Sequence, residues 1–530
     1  MKATYLNYSE TKSFSPAIIR YLANDPELDR FRSFKADIEG FRQLINGKEN
    51  TSDRVILTEV LKEQYSKLAE SASSEVQNNI ELLLEKNTFT VTTGHQLNIF
   101  TGPLYFILKI VSTIKLAMEL KKNFPEKNFV PVYWMATEDH DFDEINHTFL
   151  ANKKISWHTE AAGATGRLPM KGIDKVIKEY TSILGISENA EDLKKIITRA
   201  YTGNSNLADA TKELVNSLFE EYGLVILDAD HPKLKKEFSS IILDDIIHQH
   251  SYKHIIATNE KLEELGIDIQ VKPREINFFY LRDGLRERIV FEDNTFNILN
   301  TEIRFTAEEL KQEIKEYPER FSPNVIMRPL YQEVILPNLA YIGGGAEIIY
   351  WLQLKQNFDF YGVDFPVLLL RNSVLFTSDN LKSKLARLDL SFKDIFKGTE
   401  VLKKDWVLNH TSHTLNLSDE WNEMSLIFEK IKIRSHKIDP TLGPSTEAVK
   451  ARLNKAIKNL EGKLIKAEKK NYADALSQID SIKIKLFPRG GLQERSENFG
   501  LFYVKHGKGF IKTIIEKLNP LDLKFTILED

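Results

Sequence analysis

The chain has 530 residues, more than one ordinary hydrophobic core accommodates, so we expect two or more structural units. Hydrophobic residues make up 42% and charged residues 28%, the proportions of a folded globular protein. From the net charge of −4 no general affinity for polyanions follows, so we expect no nucleic-acid partner. The sequence shows no leader-like pattern and no apolar run of membrane-spanning length, which predicts a cytoplasmic protein with no membrane partner.

Cysteine is absent from the sequence. This excludes disulfides, thiolate metal ligands and a cysteine nucleophile. Two interpretations stay open. The absence is either a chance feature of composition, or the mark of a protein that handles thiols and avoids mixed disulfides with them.

Short apolar runs end in glycine or acidic residues and are followed by helical patterns, which is typical of βα units. A long buried helix is predicted over 104–124. Strands are predicted within 88–103, 128–141, 222–232 and 365–374. Open α/β sheets bind ligands at the carboxyl ends of parallel strands, so the polar residues that follow these strands are the candidate site residues.

The same patterns divide the chain into an α/β core with inserted segments, a helical coiled-coil domain and a returning segment. The predicted bounds are 1–377 for the core, with insertions near 150–220 and 240–320, then 378–487 for the coiled coil and 488–530 for the segment that returns to the core. Within the second insertion, Asp283 and Gly284 separate two strand-like runs, a common hairpin signal.

Residues 445–485 predict a coiled coil, because apolar side chains recur at alternating spacings of four and three. The pattern is interrupted at Tyr472 and then resumes. Helical candidates at 381–397 and 417–437 could pack against it. The seam is either intramolecular or a dimer interface, and we favour a homodimer. The lysines of the outer face favour a solvated surface over a nucleic-acid site.

The loop after the first predicted strand, "TTGHQLNIFTGP", combines glycines with many hydrogen-bond donors just before a helix. Such a loop brings a phosphate to a helix N-terminus. The candidate residues are Thr93, Gly94, His95, Gln96, Asn98 and Gly102. The alternative is a polar turn that caps a buried helix. The motif matches neither the P-loop nor the dinucleotide glycine pattern.

The stretch "VYWMATEDHDFDEINH" (132–147) places acids and histidines after an apolar strand. The candidates are Glu138, Asp139, His140 and Asp141. We favour a wall of a substrate or ribose site. A metal site and an ordinary acidic helix start stay open as alternatives.

Three further groups are candidates. Asp228, Asp230 and His231 follow the third predicted strand and could line the same crevice as the acid cluster. Gly343, Gly344 and Gly345 precede a helix, as an anion site or as a flexible lid. Asn324, Arg328 and Gln332 are spaced to share one helix face, where Arg328 is a carboxylate or phosphate clamp or a simple surface arginine.

The sequence resembles the bacillithiol biosynthesis cysteine-adding enzymes, a family of cysteine ligases. The segments that carry the resemblance are spread in order over most of the chain: "VTTGHQLNIFTGPLYFILKIVS", "FVPVYWMATEDHDFDEINH", "GLVILDADHP", "SPNVIMRPLYQEVILPNLAYIGGGAEIIYWLQL", "FPVLLLRNS" and "RGGLQERSENF". The match is weakest in 150–220 and 390–440.

The resemblance implies a Rossmann-like core related to class I aminoacyl-tRNA synthetases and cytidylyltransferases, with connecting insertions and a coiled-coil dimer. The implied reaction joins the carboxylate of L-cysteine to the amine of glucosaminyl malate, the last step of bacillithiol synthesis. The loop at Gly94 and His95 stands where synthetases carry a signature with two histidines. Only one is present here, and no lysine-serine signature follows, so the activating cosubstrate stays open.

Under this resemblance, ATP or ADP is the expected cofactor and no metal is expected. The predicted catalytic residues are His95, Asp139, His140 and Arg328; the cofactor-binding residues are Thr93, Gly94, Gln96, Asn98, Gly102, Gly343, Gly344 and Gly345; the substrate-binding residues are Glu138, Asp141, Asp228, Asp230, His231, Asn324, Gln332 and Arg371. The alternatives are an inactive nucleotide-binding dimeric scaffold of the same pathway and a zinc-dependent hydrolase built on the two Asp/His clusters.

Overall fold

The computed structural model describes residues 1–48, 52–68 and 72–530, which form two compact units. The first unit comprises Met1–Ser9, Ser13–Phe376 and Gly491–Glu529, and the second comprises Glu10–Lys12, Thr377–Gly490 and Asp530. Within the described ranges, no helix has both the length and the apolar character that crossing a bilayer requires.

The strands are numbered in chain order. They are β1 (Lys2–Asn7), β2 (Thr88–His95), β3 (Asn128–Met135), β4 (His147–Leu150), β5 (Lys153–Ser156), β6 (Val225–Asp228), β7 (Phe278–Arg282), β8 (Leu285–Glu292), β9 (Thr295–Ile298), β10 (Arg304–Phe305), β11 (Phe321–Pro323), β12 (Asn338–Gly343), β13 (Val367–Leu370), β14 (Ser373–Thr377) and β15 (Lys524–Glu529).

The helices are numbered in the same way. They are α1 (Pro16–Leu22), α2 (Ile38–Gly47), α3 (Arg54–Tyr65), α4 (Ser74–Leu82), α5 (Tyr105–Asn123), α6 (Phe142–Ile145), α7 (Ile173–Ile183), α8 (Glu188–Thr202), α9 (Leu207–Phe219), α10 (Pro232–His248), α11 (His250–Glu264), α12 (Ala307–Glu316), α13 (Met327–Ile335), α14 (Gly345–Gln353), α15 (Lys355–Tyr361), α16 (Asp379–Arg387), α17 (Thr399–His410), α18 (Ser418–Ile438), α19 (Leu442–Asn471), α20 (Ala473–Leu486), α21 (Gly500–His506) and α22 (Gly509–Lys517).

A five-stranded parallel sheet forms the centre of the first unit, in the order β13-β12-β2-β3-β6. Its strands are almost entirely buried, as expected of parallel strands covered on both faces. The four strands predicted from sequence and the long helix α5 all belong to this arrangement, so the predicted parallel α/β core is confirmed.

Strand β12, which lies between β13 and β2, is the strand of this parallel sheet that the sequence patterns did not predict. Its six residues lie in one long apolar stretch between α13 and α14, where periodicity cannot separate a short buried strand from buried helix. The helix-face prediction for this stretch is wrong in part. Arg328 and Gln332 lie in α13, but Asn324 precedes it and accepts hydrogen bonds from the N–H groups of Ile326 and Met327.

A second sheet lies in the first unit, in the order β10-β9-β8-β7-β11. Each neighbouring pair in it is antiparallel. The turn between β7 and β8 consists of Asp283 and Gly284, with Arg282 paired to Leu285. Gly284 has a φ of +70°, a conformation that glycine adopts without strain. The predicted hairpin is therefore confirmed.

The second unit is helical, and its longest elements α18 and α19 form an antiparallel hairpin. Ion pairs Lys432–Glu447 and Lys450–Glu429 cross between the two helices and fix their direction. The predicted coiled-coil helix is not continuous, because α19 ends at Asn471 and α20 begins at Ala473. Tyr472 separates them, at the position where the apolar pattern is interrupted.

Candidate active site

A cavity of about 630 Å³ opens at the carboxyl ends of β2, β3 and β12, the edge where parallel α/β sheets bind ligands. It combines cationic, aromatic and small side chains. Its lining residues are Gly94, His95, Gln96, Tyr105, Lys109, Trp134, Ala136, Asp139, Val325, Arg328, Tyr341, Gly344, Gly345, Ala346, Glu347, Tyr350, Arg371 and Arg495.

A buried ion pair forms part of this cavity. Lys109 projects from the second turn of α5, and its Nζ donates to the carbonyl oxygen of Gly94 at 2.8 Å and to Oε2 of Glu347 at 2.7 Å. The carboxylate of Glu347 also accepts hydrogen bonds from the Tyr341 hydroxyl (2.7 Å) and the Gly344 N–H (3.1 Å). Burial opposes ionisation of Glu347, but Lys109 and these donors outweigh it and lower the pKa of Glu347 to about 2.

His95 ends β2 and packs between the rings of Tyr105 and Phe106, at centroid distances of 5.4 and 5.1 Å. Burial, together with the charge of Lys109, lowers the pKa of His95 to about 3. The imidazole is therefore neutral at physiological pH. Its Nε2 is buried and has no hydrogen-bond partner among the described residues. A buried polar atom without a partner is costly, so Nε2 is available to a ligand or a water molecule.

Arg328 is positioned by a chain of hydrogen bonds among the buried side chains of Gln332, Glu333 and Asn338. Its Nη1 donates to Oε1 of Gln332 at 2.9 Å, and Gln332 donates to Glu333 at 2.7 Å. Asn338, at the start of β12, donates to the same Glu333 oxygen at 2.7 Å. Nη2 of Arg328 is buried with no hydrogen-bond partner in the described part of the chain, so this end of the guanidinium can take an anion.

Two more arginines line the cavity. Arg371 is only 5% exposed, and its Nη2 donates to Oε1 of Glu494 at 2.8 Å. Burial disfavours its charge, but the Glu494 carboxylate outweighs burial and raises the pKa of Arg371. Arg495, the next residue along the chain from Glu494, is exposed. A structural partner therefore neutralises Arg371 in part, while Arg495 faces solvent and the cavity.

Asp139 is the member of the predicted acid cluster that lines the cavity. Its Oδ2 accepts a hydrogen bond from Nε2 of Gln96 at 2.6 Å, and its Oδ1 accepts from the N–H of His140 at 2.7 Å. Gln96 also donates to Glu144 at 2.8 Å, so one amide holds two carboxylates. Asp139 is therefore fixed in orientation while its carboxylate stays half-buried at the cavity.

The family of this chain follows from comparison with known proteins. Residues 1–372 match the family model "Bacillithiol biosynthesis BshC, N-terminal Rossmann-like domain", and residues 374–529 match "Bacillithiol biosynthesis BshC, C-terminal coiled-coil domain". The chain belongs to the BshC family. Its parallel sheet is accordingly the Rossmann-like core, and the helical second unit contains the coiled-coil region of the family.

Full-length relatives support the same family assignment. The chain is 44% identical to "Putative cysteine ligase BshC" of Flavobacterium psychrophilum and 43% identical to that of Flavobacterium johnsoniae, with 100% of each chain covered in both comparisons. The Bacillus cereus protein of the same name is 28% identical, over 96% of this chain and 97% of its own. A solved structure, the "putative arginyl t-RNA synthetase" of Campylobacter jejuni, covers 84% of this chain and 99% of its own at 12% identity; its TM-score of 0.22 is too low to establish a common fold.

In this BshC-family chain, other members of the acid cluster point to structural partners. Glu138 forms an ion pair with Lys235 of α10. The Nδ1 atom of His140 contacts the guanidinium of Arg286 on β8. Asp141 is exposed and directly precedes α6. These three residues belong to the surroundings of Asp139, and they are not among the residues that line the cavity.

The candidates after β6 form an ionic network. Thr137 donates to Asp228, and Arg167 makes two hydrogen bonds to Asp230, at 3.0 and 3.1 Å. Burial and the neighbouring Asp230 raise the pKa of Asp228 to about 7. His231 precedes α10 and accepts a hydrogen bond from its first turn. The structure therefore places Asp228 and Asp230 in a network at the end of β6, with His231 at the start of α10, and none of the three is among the residues that line the cavity.

Several predicted binding residues act in the scaffold. The hydroxyl of Thr93 donates to the carbonyl of Ile342 across β2 and β12. Asn98 donates to the carbonyl of Glu144, and Gly102 has a φ of +60° in the turn before α5. Gly343 ends β12, whereas Gly344 directly precedes α14, Gly345 begins it, and both line the cavity. Of the predicted residues, the cavity brings together Gly94, His95, Gln96, Asp139, Arg328, Gly344, Gly345 and Arg371.

Neither Asp/His cluster gathers metal ligands. Within the described residues, a group of three side chains with ligand atoms close together occurs at Asp244, His248 and His250, away from both clusters in sequence. The zinc-hydrolase alternative, which required the two clusters, therefore lacks a ligand set there.

The buried ion pair between Lys109 and Glu347 was not predicted from the sequence. Lys109 is a single lysine inside the apolar run "FILKIVS", and only 2% of it is exposed. A lone cation in a buried helix requires a partner, which is the signal that could have identified it. Glu347 follows the three glycines at the third position of α14, where an acid is favoured by the helix terminus.

Proposed function

We propose that this protein is a ligase that joins the carboxylate of L-cysteine to the amine of glucosaminyl malate and so completes bacillithiol. The observation that carries the proposal is the cavity at the sheet edge, where Arg328, Arg495 and the neutral His95 present unpaired or solvent-facing donors. The name of the full-length relatives, "Putative cysteine ligase BshC", supports the cysteine-ligase part of this proposal.

The charges of the cavity fit acidic substrates. Glucosaminyl malate carries two carboxylates, and an activating nucleotide carries phosphates. Arg328 offers a free guanidinium end, and Arg495 is exposed at the cavity. Guanidinium geometry matches both carboxylate and phosphate. Lys109 is already paired with Glu347, so we assign it a structural part in holding Gly94 and α14 rather than direct binding.

Amide formation requires activation of the cysteine carboxylate, because a free carboxylate is a poor electrophile. In our proposal, a carboxylate oxygen attacks either the α-phosphorus of ATP, with cleavage of the P–O bond to the leaving pyrophosphate, or the γ-phosphorus, with cleavage of the P–O bond to the leaving ADP. The amine nitrogen of glucosaminyl malate then attacks the carbonyl carbon. The C–O bond to the phosphoryl group breaks, and AMP or phosphate leaves with the electron pair while the amine loses one proton.

His95 and Asp139 are suited to different parts of this sequence. With a pKa of about 3, His95 is a weak base, so we assign its Nε2–H to hydrogen-bond the oxyanion that develops on the cysteine carbonyl. Asp139 presents a fixed carboxylate at the cavity and can hold the ammonium group of a substrate or accept its proton.

We further propose that the protein is a cytoplasmic homodimer. Helix α18 contains no buried residue, although Leu426, Ile427, Ile431, Ile433 and Ile438 on it are large and aliphatic. Exposed apolar groups at this density mark an interaction surface. A second copy of the same helix hairpin would cover them, as expected of a coiled-coil domain. The cytoplasm supplies both L-cysteine and ATP.

The test is direct synthesis by the isolated chain. Purified protein is incubated with L-cysteine, glucosaminyl malate and each nucleoside triphosphate in turn, and bacillithiol is measured by mass spectrometry. With ¹⁸O in the cysteine carboxylate, label in AMP identifies an adenylate and label in phosphate identifies an acyl phosphate. Absence of product with every triphosphate would contradict the nucleotide-dependent ligase and favour the scaffold alternative.

A further inference from the structure

The junction of α10 and α11 brings two histidines and an aspartate together. Asp244 and His248 lie one turn apart in the last part of α10. Gln249 then adopts a left-handed conformation with a φ of 57°, and α11 begins at His250. This reversal directs His250 back toward Asp244, so side chains from two helices meet at one point.

The distances among these groups suit a small divalent ion. Nδ1 of His248 lies 3.0 Å from Oδ1 of Asp244, and Nε2 of His250 lies 3.8 Å from Oδ2 of the same carboxylate. Ligand atoms about 2.1 Å from a tetrahedral zinc ion are about 3.4 Å apart, between these two values. Nδ1 of His248 also lies 3.1 Å from the Asp244 carbonyl oxygen, so a metal would replace a hydrogen bond there.

The junction is held in place by buried groups that are not part of the cluster. The carboxylate of Asp245, which is fully buried, accepts hydrogen bonds from the N–H and the hydroxyl of Ser251, both at 2.7 Å. The ring of Phe360 packs against His250 at 4.4 Å, which restrains that imidazole. These contacts order the backbone before any ion arrives, and this lowers the entropy cost of binding.

We propose that Asp244, His248 and His250 form a binding site for a divalent transition metal, with Zn²⁺ as the best match. Two imidazoles and one carboxylate are ligands that Zn²⁺ favours, and the partial exposure of the site leaves a fourth position for water. The ion would tie the end of α10 to the start of α11. The site is separate from the proposed ligase reaction and does not depend on it.

The test uses the full chain, freed of metal by chelation and without a histidine tag. Titration with Zn²⁺ by calorimetry is expected to show about one saturable site, and Zn²⁺ is expected to raise the melting temperature, because a ligand that binds the native state stabilises it. Co²⁺ in place of Zn²⁺ is expected to give the visible absorption of a low-coordinate site with nitrogen ligands.

Two variants assign the site. His248→Ala and His250→Ala are each expected to weaken Zn²⁺ binding at least 10-fold and to abolish the melting shift. Both histidines are at least partly exposed, so folding should be retained. His413→Ala is the matched control, since His413 contacts Glu468 at 3.1 Å in the second unit. No saturable binding, or equal binding by wild type and both variants, would overturn the proposal.

Discussion

Lys109 and Glu347 form a buried ion pair, with Nζ 2.7 Å from the carboxylate oxygens. The pair joins the second turn of α5 to the first turn of α14, and Lys109 also donates to the carbonyl of Gly94 near the end of strand β2. Three elements of the candidate site are therefore held by one ammonium group.

We expect Lys109→Met to destabilise the first unit by about 3 kcal/mol, because removing one member of a buried pair leaves an uncompensated charge. The measurement is urea unfolding at neutral pH. The single variant Glu347→Gln, measured under the same conditions, provides the control. The double variant should be less destabilised than the sum of the two single variants. Additive effects would show that the two side chains do not interact in solution.

His95 is expected not to titrate between pH 5 and 8, because its pKa is lowered to about 3 by burial and by Lys109. Nuclear magnetic resonance of protein labelled at the histidine rings would follow this directly. A titration midpoint for His95 between pH 5 and 8 would remove the neutral-imidazole assignment.

Arg328→Lys tests the anion clamp. The substitution keeps a positive charge but loses the fork that Gln332 orients, so KM for the acidic substrate should rise roughly 10- to 100-fold, as for a lost charged hydrogen bond. Arg320→Lys is the control, because Arg320 binds Glu313 and is absent from the cavity lining. Equal KM values for both variants and wild type would place the substrate elsewhere.

The buried Glu333 predicts a pH dependence of stability. Burial raises its pKa to about 7, above the ordinary value of 4.5. The stabilising contribution of the protonated form is therefore complete below about pH 4.5, falls as the pH rises, and is lost above about pH 7. The contribution of the raised Glu333 pKa to the free energy of unfolding at low pH is about 3 kcal/mol. Comparing wild type with Glu333→Gln by urea unfolding at pH 5 and pH 8 isolates it. A constant difference between the two proteins would contradict the raised pKa.

The dimer proposal predicts that Ile433→Glu dissociates the protein. Ile433 is 59% exposed in the single chain, so the charge costs little within one copy but is unfavourable at an apolar interface. Light scattering during gel filtration would report the mass. Ile186→Glu is a matched control, since Ile186 is 92% exposed in the first unit. A monomeric wild type, or a dimeric Ile433→Glu variant, would reject this interface.

The sequence allowed prediction of elements whose signals are local. Strands β2, β3, β6 and β13 are apolar runs that end in glycine or polar residues, and α5 is long enough to be distinguished from a strand. Strand β12 was not predicted, because it lies between two helices in a continuous apolar stretch of sequence. His95 was predicted from the donor-rich glycine loop before a helix, and Arg328 from its four-residue spacing to Gln332 on one helix face.

The partnerships of the candidate site could not be predicted in the same way. Lys109 and Glu347 are 238 positions apart, so only the folded sheet brings them together. The same holds for Asp139 and Gln96, which follow the different strands β3 and β2. From composition alone, every residue of the acid cluster was an equal candidate for the site. In the structure, Glu138 contacts Lys235 and His140 contacts Arg286, whereas Asp139 lines the cavity.

The lack of buried residues on α18 has a consequence for how the protein melts. Helix hairpins gain most of their stability from packing of an apolar face, and this one has little to pack against within a single chain. Its folding should therefore be coupled to association. On heating, we expect an early transition whose midpoint rises with protein concentration, followed by melting of the Rossmann-like core at a temperature that dilution does not change.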